Sequence, residues 1–176
     1  MEEKILATQD IFKGRIVNLK VHDVDLPNGQ QSKREIIYHQ GAVAIVALDE
    51  AYNVLLVKQF RLAAGQVTLE IPAGLLEPDE DPLAAVGREL QEETGYRPLN
   101  LQSLGGVYVA PGYTTEYIHL YYATAYEYAP LQQDDDEFVE SLKMPMTQAL
   151  QLIETGEIIE AKTIVALLRV ARYLQL

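Results

Sequence analysis

Glu89, Glu92 and Glu93 fall within five consecutive residues of GLLEPDEDPLAAVGRELQEETGY (74–96), a segment with seven acidic side chains in twenty-three. Leu83, Val86 and Leu90 recur at helical spacing, so residues 82–94 read as one amphipathic helix. The three glutamates lie on an arc beside that apolar stripe, with Glu89 and Glu93 one turn apart as an i, i+4 pair. Like charges so placed oppose each other. Protonation of one or more of them would relieve the repulsion. A shared cation would turn it into attraction. Hard oxygen donors from adjacent turns suit Mg²⁺ or Mn²⁺, which keep several waters and also bind phosphate oxygens. Arg88 precedes the cluster and stands four residues before Glu92, where its planar fork can fix a carboxylate rotamer. The plain alternative is a solvated, Glu-rich helix face.

Such a helix needs firm ends and a sheet to lie on. Asp81 is placed to cap its start, Pro82 suits the first helical position, and Gly95 can take the left-handed conformation past its end. Ile71-Pro72-Ala73-Gly74 closes the strand before it. There Gly74 is expected to permit a sharp turn that aims the Ala73 carbonyl at the carboxylates. Residues 14–26 alternate at period two, reach the turn Pro27-Asn28-Gly29, and return as 33–39, which reads as a hairpin. Further strands are expected at 41–48, 53–60, 67–73, 104–109, 116–127 and 138–144, and helices at 147–154 and about 160–174. Many strands with few helices point to an α+β fold, or an α/β/α sandwich around a mixed sheet.

The whole chain narrows the chemistry. Its 176 residues suffice for a substantial core, and 48% hydrophobic and 23% charged content is ordinary for a folded domain. A formal charge of −12 argues against binding a nucleic-acid backbone. It permits an anionic small molecule where bound cations invert the local field. Cysteine is absent, which removes disulfides and thiolate chemistry. No apolar run approaches the roughly 18 residues of a membrane span. The N-terminus MEEKILATQDIF lacks a secretory pattern, so the cytoplasm is the expected location. His22, His39 and His119 show no metal-ligand spacing, and Ser32, Ser103 and Ser141 lie in no nucleophile-elbow motif.

Residues 74–96 resemble the Nudix box, G-x5-E-x7-R-E-U-x-E-E-x-G-U with U a bulky apolar residue. Gly74, Glu80, Arg88, Glu89, Leu90, Glu92, Glu93, Gly95 and Tyr96 occupy the specified positions, Tyr96 being aromatic where an aliphatic is commoner. The resemblance implies an α+β fold, a Nudix α/β/α sandwich around a mixed β-sheet, preceded by an antiparallel β-hairpin region. It also implies Mg²⁺-dependent hydrolysis of a nucleoside diphosphate linked to another moiety, with Mn²⁺ as a possible substitute. Glu89 and Glu93 would be the main metal ligands, Glu92 a further one, and Ala73 would add its carbonyl. Gly74, Glu80 and Arg88 would support the geometry.

Flanking segments LVKQFRLAAGQVTLEIPAG, VAPGYTTEYIHLYYA and EIIEAKTIVALL resemble the ADP-ribose pyrophosphatase branch of that family. Its pattern implies that Arg61 contacts substrate phosphates. The loop 110–116 reads as a substrate-lining turn or as an ordinary connection between strands, and Glu116 is the residue there able to bond a ribose hydroxyl. Glu70 would hold a substrate hydroxyl or a water, or else form a buried ion pair. Glu137, in the acidic loop before an apolar-x-acidic strand start, matches the branch's catalytic base, with Glu140 the second candidate. Members often stack adenine between aromatics of the N-terminal region. This chain offers Arg34 and Ile16 instead, and an Arg guanidinium can stack on a base. The expected division is residues 1–40 as a β region mediating homodimerisation and 41–176 as the hydrolase domain. The expected reaction converts ADP-ribose to AMP and ribose 5-phosphate. Hydrolysis of another nucleotide sugar such as GDP-mannose is the alternative within enzymes. A non-catalytic Nudix-fold nucleotide sensor is the alternative outside them.

Overall fold

The computed structural model describes residues 1–133 and 138–176, which form two compact units. The first comprises residues 1–41 and 108–117, the second the described parts of 42–107 and 118–176.

In the first unit β1 (Lys4–Lys13), β2 (Asn18–Asp25) and β3 (Gln31–Tyr38) form one antiparallel sheet in that order. The sequence pattern gave a two-stranded hairpin starting at Gly14. The structure adds a strand before it and makes 14–17 a turn, closed by Gly14 N–H donating to Val17 O at 2.8 Å. Two irregularities in the β1–β2 register, at Ile5/Ala7 and Asp10/Phe12, explain why β1 escaped notice. Each bulge shifts the alternation by one residue, so no period-two pattern survives in the sequence. Residues 108–117 belong here because Ile37 N–H donates to Tyr113 O (2.8 Å) and Thr115 N–H to Ile37 O (2.9 Å). His22 is buried in this unit, with Thr8 Oγ1 2.9 Å from Nδ1 and Tyr38 Oη 3.1 Å from Nε2.

The second unit is built on β4 (Ala42–Ala47), six consecutive residues that are all buried. A strand covered on both faces reads as a continuous apolar run, and this one does. Ala42, Ala44 and Val46 pack with Ala166, Leu167 and Val170 of α3 (Ala161–Leu174) and with Met146 and Ala149 of α2 (Met146–Glu154). Val43, Ile45 and Ala47 pack instead with Ala85, Val86 and Leu90 of α1 (Pro82–Thr94). Period-two alternation therefore sends one half of β4 to each helical layer, which makes the sandwich.

β4 pairs antiparallel with β7 (Ala73–Leu75) and parallel with β10 (Tyr117–Ala123), and β9 (Gln102–Tyr108) lies beyond β10, so the sheet is mixed. β5 (Asn53–Arg61) sits between β6 (Gln66–Glu70) and β12 (Glu140–Pro145), antiparallel to both. β8 (Tyr96–Leu99) and β11 (Ala125–Tyr128) form a short antiparallel pair. The strand expected at 67–73 is in fact broken at Ile71-Pro72. Pro72 has no N–H to donate, and Ile71 N–H turns away to Thr163 Oγ1 at 3.0 Å. No helix among the described residues is long and apolar enough to cross a membrane.

Candidate active site

Helix α1 is delimited by its chemistry. Asp81 adopts the extended N-cap backbone, although its side chain makes no capping bond, and Pro82 follows. At the other end Gly95 takes φ 78°, and its N–H donates to Gln91 O at 3.0 Å. The buried face is Ala85, Val86, Glu89, Leu90, Glu93 and Thr94. Leu83, expected in the apolar stripe, is exposed instead, because the helix is rotated to take two glutamates inward. Glu89 is 8% exposed and Glu93 4%. These carboxylates lie within the packed face rather than beside it.

Gly74 explains how that is possible. A Cβ built on it would lie 1.9 Å from Glu89 Cδ and 2.0 and 2.2 Å from the two carboxylate oxygens. Its φ is not in the left-handed region, so the expected role in a sharp turn is corrected. Glycine is required here because the Glu89 carboxylate occupies the space of a side chain. Next to it, Ala73 N–H donates to Glu93 Oε2 at 3.0 Å. The recorded contact of Ala73 with the cluster is therefore through its N–H.

Arg88 gathers the remaining carboxylates. Its Nε and Nη2 donate to the two oxygens of Glu80, both at 3.0 Å, and Nη1 lies 2.8 Å from both Glu92 Oε2 and Glu89 Oε1. Glu80 also accepts Glu77 N–H at 3.0 Å, which closes the loop ahead of α1. Bonding to Glu80 is the main cause that raises the Arg88 pKa, opposed by burial and aided by the charges of Glu89 and Glu92. Conversely, Arg88 lowers that of Glu80. The donor set fits a hard divalent cation: oxygens from adjacent turns of one helix, two of them buried, over a cradle that a Cβ would fill. Among the described residues no three His, Cys, Asp or Glu side chains yet converge as ligands. Arg88 Nη1, held between two of the carboxylates, places a positive charge there.

A second cluster flanks the first. Glu70, at the end of β6, is 0% exposed. Arg61 at the end of β5 grips it side-on, Nε to Oε1 at 2.8 Å and Nη2 to Oε2 at 2.7 Å. Thr68 Oγ1 donates to Oε1 at 2.6 Å and Lys162 Nζ to Oε2 at 2.5 Å. Four donors fill a carboxylate's capacity, so Glu70 has none to spare for a substrate hydroxyl. Of the two readings open for it, the geometry is that of the buried ion pair. Burial pushes its pKa up, but Arg61, Lys162 and Thr68 outweigh that and hold it at about 2. Bonding to Glu70 raises the Arg61 pKa, opposed by burial and aided by the charges of Glu70, Glu93 and Glu160. Lys162 and Thr68 were not among the expected site residues. GEIIEAKT shows a Lys at the start of α3, but no spacing in the sequence ties it to Glu70.

The other expected residues lie on separate elements. Glu140 opens β12, exposed, 4.0 Å from Lys58 on the neighbouring strand. Glu137 lies outside the described residues. In the first unit, Glu116 precedes β10 and its N–H donates to Thr114 Oγ1 at 3.1 Å. Arg34 is forked onto Glu3, Nε to Oε2 at 2.9 Å and Nη2 to Oε1 at 2.5 Å, and Ile16 is exposed in the β1–β2 turn. Arg34 therefore already has an anionic partner.

Residues 38–167 match the NUDIX domain family, and residues 3–37 match the nucleoside diphosphate sugar hydrolase N-terminal domain. An ADP-ribose pyrophosphatase of Bacillus subtilis is 42% identical over 100% of this chain and 94% of its own. The methanol dehydrogenase activator of Bacillus methanolicus is 43% identical over 99% and 94%. A GDP-mannose pyrophosphatase of Citrobacter koseri is 39% identical over 83% and 82%. Among solved structures, an ADP compounds hydrolase superposes with a TM-score of 0.88 at 23% identity, covering 99% of this chain and 95% of that one, which establishes the fold.

Proposed function

The chain belongs to the Nudix hydrolase family, and from that premise we propose that it is a Mg²⁺-dependent pyrophosphatase that hydrolyses ADP-ribose to AMP and ribose 5-phosphate. One observation carries the chemistry: the paired, buried Glu89 and Glu93, one lodged over Gly74 and the other bonded to Ala73 N–H. Two buried carboxylates a turn apart are costly unless a cation shares them. The full-length similarity to an ADP-ribose pyrophosphatase supports the choice of substrate.

In this reading Glu89, Glu93 and Glu92, with the Ala73 carbonyl, hold the divalent ion. The chemistry supplied by that ion is neutralisation of charge on the pyrophosphate and acidification of the attacking water. Arg88 and Glu80 keep the carboxylates in place. Arg61 turns its free edge to a phosphate oxygen, a geometry its fork suits. Glu116 bonds a ribose hydroxyl, and Arg34 with Ile16 flanks the base, which requires Arg34 to leave Glu3. Glu137 is the proposed general base, with Glu140 second. Residues 1–40 form the dimerisation element of a cytoplasmic homodimer and 41–176 the hydrolase domain. Support for the dimer comes from β1, an edge strand whose Ile5, Leu6, Ile11 and Phe12 are all exposed.

Product analysis with Mg²⁺ across ADP-ribose, GDP-mannose and other nucleoside diphosphate compounds tests the reading. Preference for ADP-ribose with release of AMP is expected. Preference for GDP-mannose would shift the substrate to the alternative that the Citrobacter koseri relative represents. Absence of any Mg²⁺-dependent cleavage would leave the nucleotide-sensor reading.

A further inference from the structure

Lys162 is a buried cation in an unfavourable place. It is the second residue of α3, and its side chain is 8% exposed. The start of a helix carries partial positive charge and disfavours a cation. The helix already has its cap: Glu160 accepts the N–H groups of Lys162 (3.2 Å) and Thr163 (3.0 Å). Lys162 therefore does nothing for α3 that Glu160 does not. Its Nζ is spent on Glu70 Oε2 at 2.5 Å and on Glu160 Oε2 at 3.2 Å.

The consequence falls on Arg61. Lys162 and Arg61 Nη2 share the same oxygen of Glu70. Around that carboxylate Arg61 and Lys162 meet Glu70, and Glu160 is a second anion on Lys162, so the four groups balance. Lys162 is enclosed, whereas the Arg61 side chain is 43% exposed. Arg61 commits Nε and one N–H of Nη2 to Glu70, and a guanidinium has five N–H donors. Without Lys162, Glu70 would claim the whole charge of Arg61.

We propose that Lys162 is a positioning residue that neutralises Glu70 and so leaves the charge and outer edge of Arg61 available to a phosphate oxygen of the substrate. This rests on the pyrophosphatase reading above and adds to it a residue at the start of α3.

The test compares the unaltered chain with Lys162→Met, Lys162→Arg and the double variant Glu70→Gln/Lys162→Met. The net charge of Arg61, Lys162, Glu70 and Glu160 is zero in the unaltered chain and in Lys162→Arg, −1 in Lys162→Met, and zero again in the double variant. For ADP-ribose with Mg²⁺, Lys162→Met raises KM about tenfold or more while kcat changes less than about threefold, the signature of lost substrate binding. Lys162→Arg and the double variant return KM most of the way. Affinity for inorganic pyrophosphate in excess Mg²⁺, by calorimetry, follows the same order and requires no turnover. An unaltered chain that does not cleave ADP-ribose overturns the choice of ADP-ribose as substrate, and the pyrophosphate affinities then decide the role of Lys162. Unchanged KM and pyrophosphate affinity in Lys162→Met, with only a lower melting temperature, would overturn the proposal. So would a double variant as impaired as the single one, and that variant carries no buried unpaired charge if Lys162→Met fails to fold.

Discussion

Glu89 occupies the volume that any side chain at position 74 would need, so the glycine and the glutamate form one unit. Gly74→Ala places a methyl group about 2 Å from the carboxylate atoms, and Glu89 has to leave its cradle. Because Glu89 is short of room on a buried helix face, the expected result is a loss in kcat of about a hundredfold or more, the scale reported when a reacting constellation is misplaced by an ångström. The fold survives, since the displaced group is polar and Arg88 stays bonded to Glu80. Steady-state kinetics with circular dichroism checks both halves, and near-normal turnover would mean that Glu89 has another productive position. Glu93→Gln differs in kind. An amide keeps the shape and can still accept from Ala73 N–H, but it removes the charge offered to a divalent ion. Turnover of ADP-ribose should fall by about a thousandfold or more with the melting temperature nearly unchanged. Hydrolysis near the original rate would sink the assignment of Glu93 as a metal ligand.

Between elements, Glu70 joins the ends of β5 and β6 to the start of α3, and its ionisation should register in acid stability. Its carboxyl is held at about 2 in the folded chain against an ordinary value of 4.5. A lowered folded value means that the stabilisation is complete above about pH 4.5 and drains away as the pH falls toward 2. The shift corresponds to about 3 kcal/mol at neutral pH. In urea titrations the stability gap between the unaltered chain and Glu70→Gln should therefore narrow by about 2 kcal/mol between pH 7 and pH 3. A gap independent of pH would show that Glu70 does not ionise with this linkage. The elements themselves were legible wherever local pattern sufficed. The β4 run, the Pro82 start and Gly95 stop of α1, and the amphipathic α3 each lie in a few contiguous residues. β1 was not legible, because two bulges break its alternation, and Leu83 misled because a helix that buries glutamates presents a face that apolar periodicity cannot locate.

At the scale of the molecule, what the sequence disclosed of the site was its contiguous part, Gly74 through Tyr96. Lys162 escaped because its partner Glu70 lies 92 positions away, as Ile71 does from Thr163. Contacts of that kind leave no spacing to read. The same holds for assembly, where the sequence offers resemblance and the structure offers a surface. β1 lies at the edge of its sheet, paired on one side with β2. Ile5, Leu6, Ile11 and Phe12 project from it into solvent. An exposed apolar edge strand is a template for pairing with another chain, and natural edges are otherwise blunted by charge, above all by lysine. A two-fold pairing would set the same patch on both copies against itself, as closed homodimers do. The chain carries a net charge of −12, so the apolar patch must overcome repulsion between copies, and added salt should tighten the dimer. Light scattering should give about twice 19.7 kDa for the unaltered chain, and 19.7 kDa when Ile11 and Phe12 are both replaced by Lys. A monomeric unaltered chain at micromolar concentration, or a dimer that persists after both substitutions, would remove β1 from the interface.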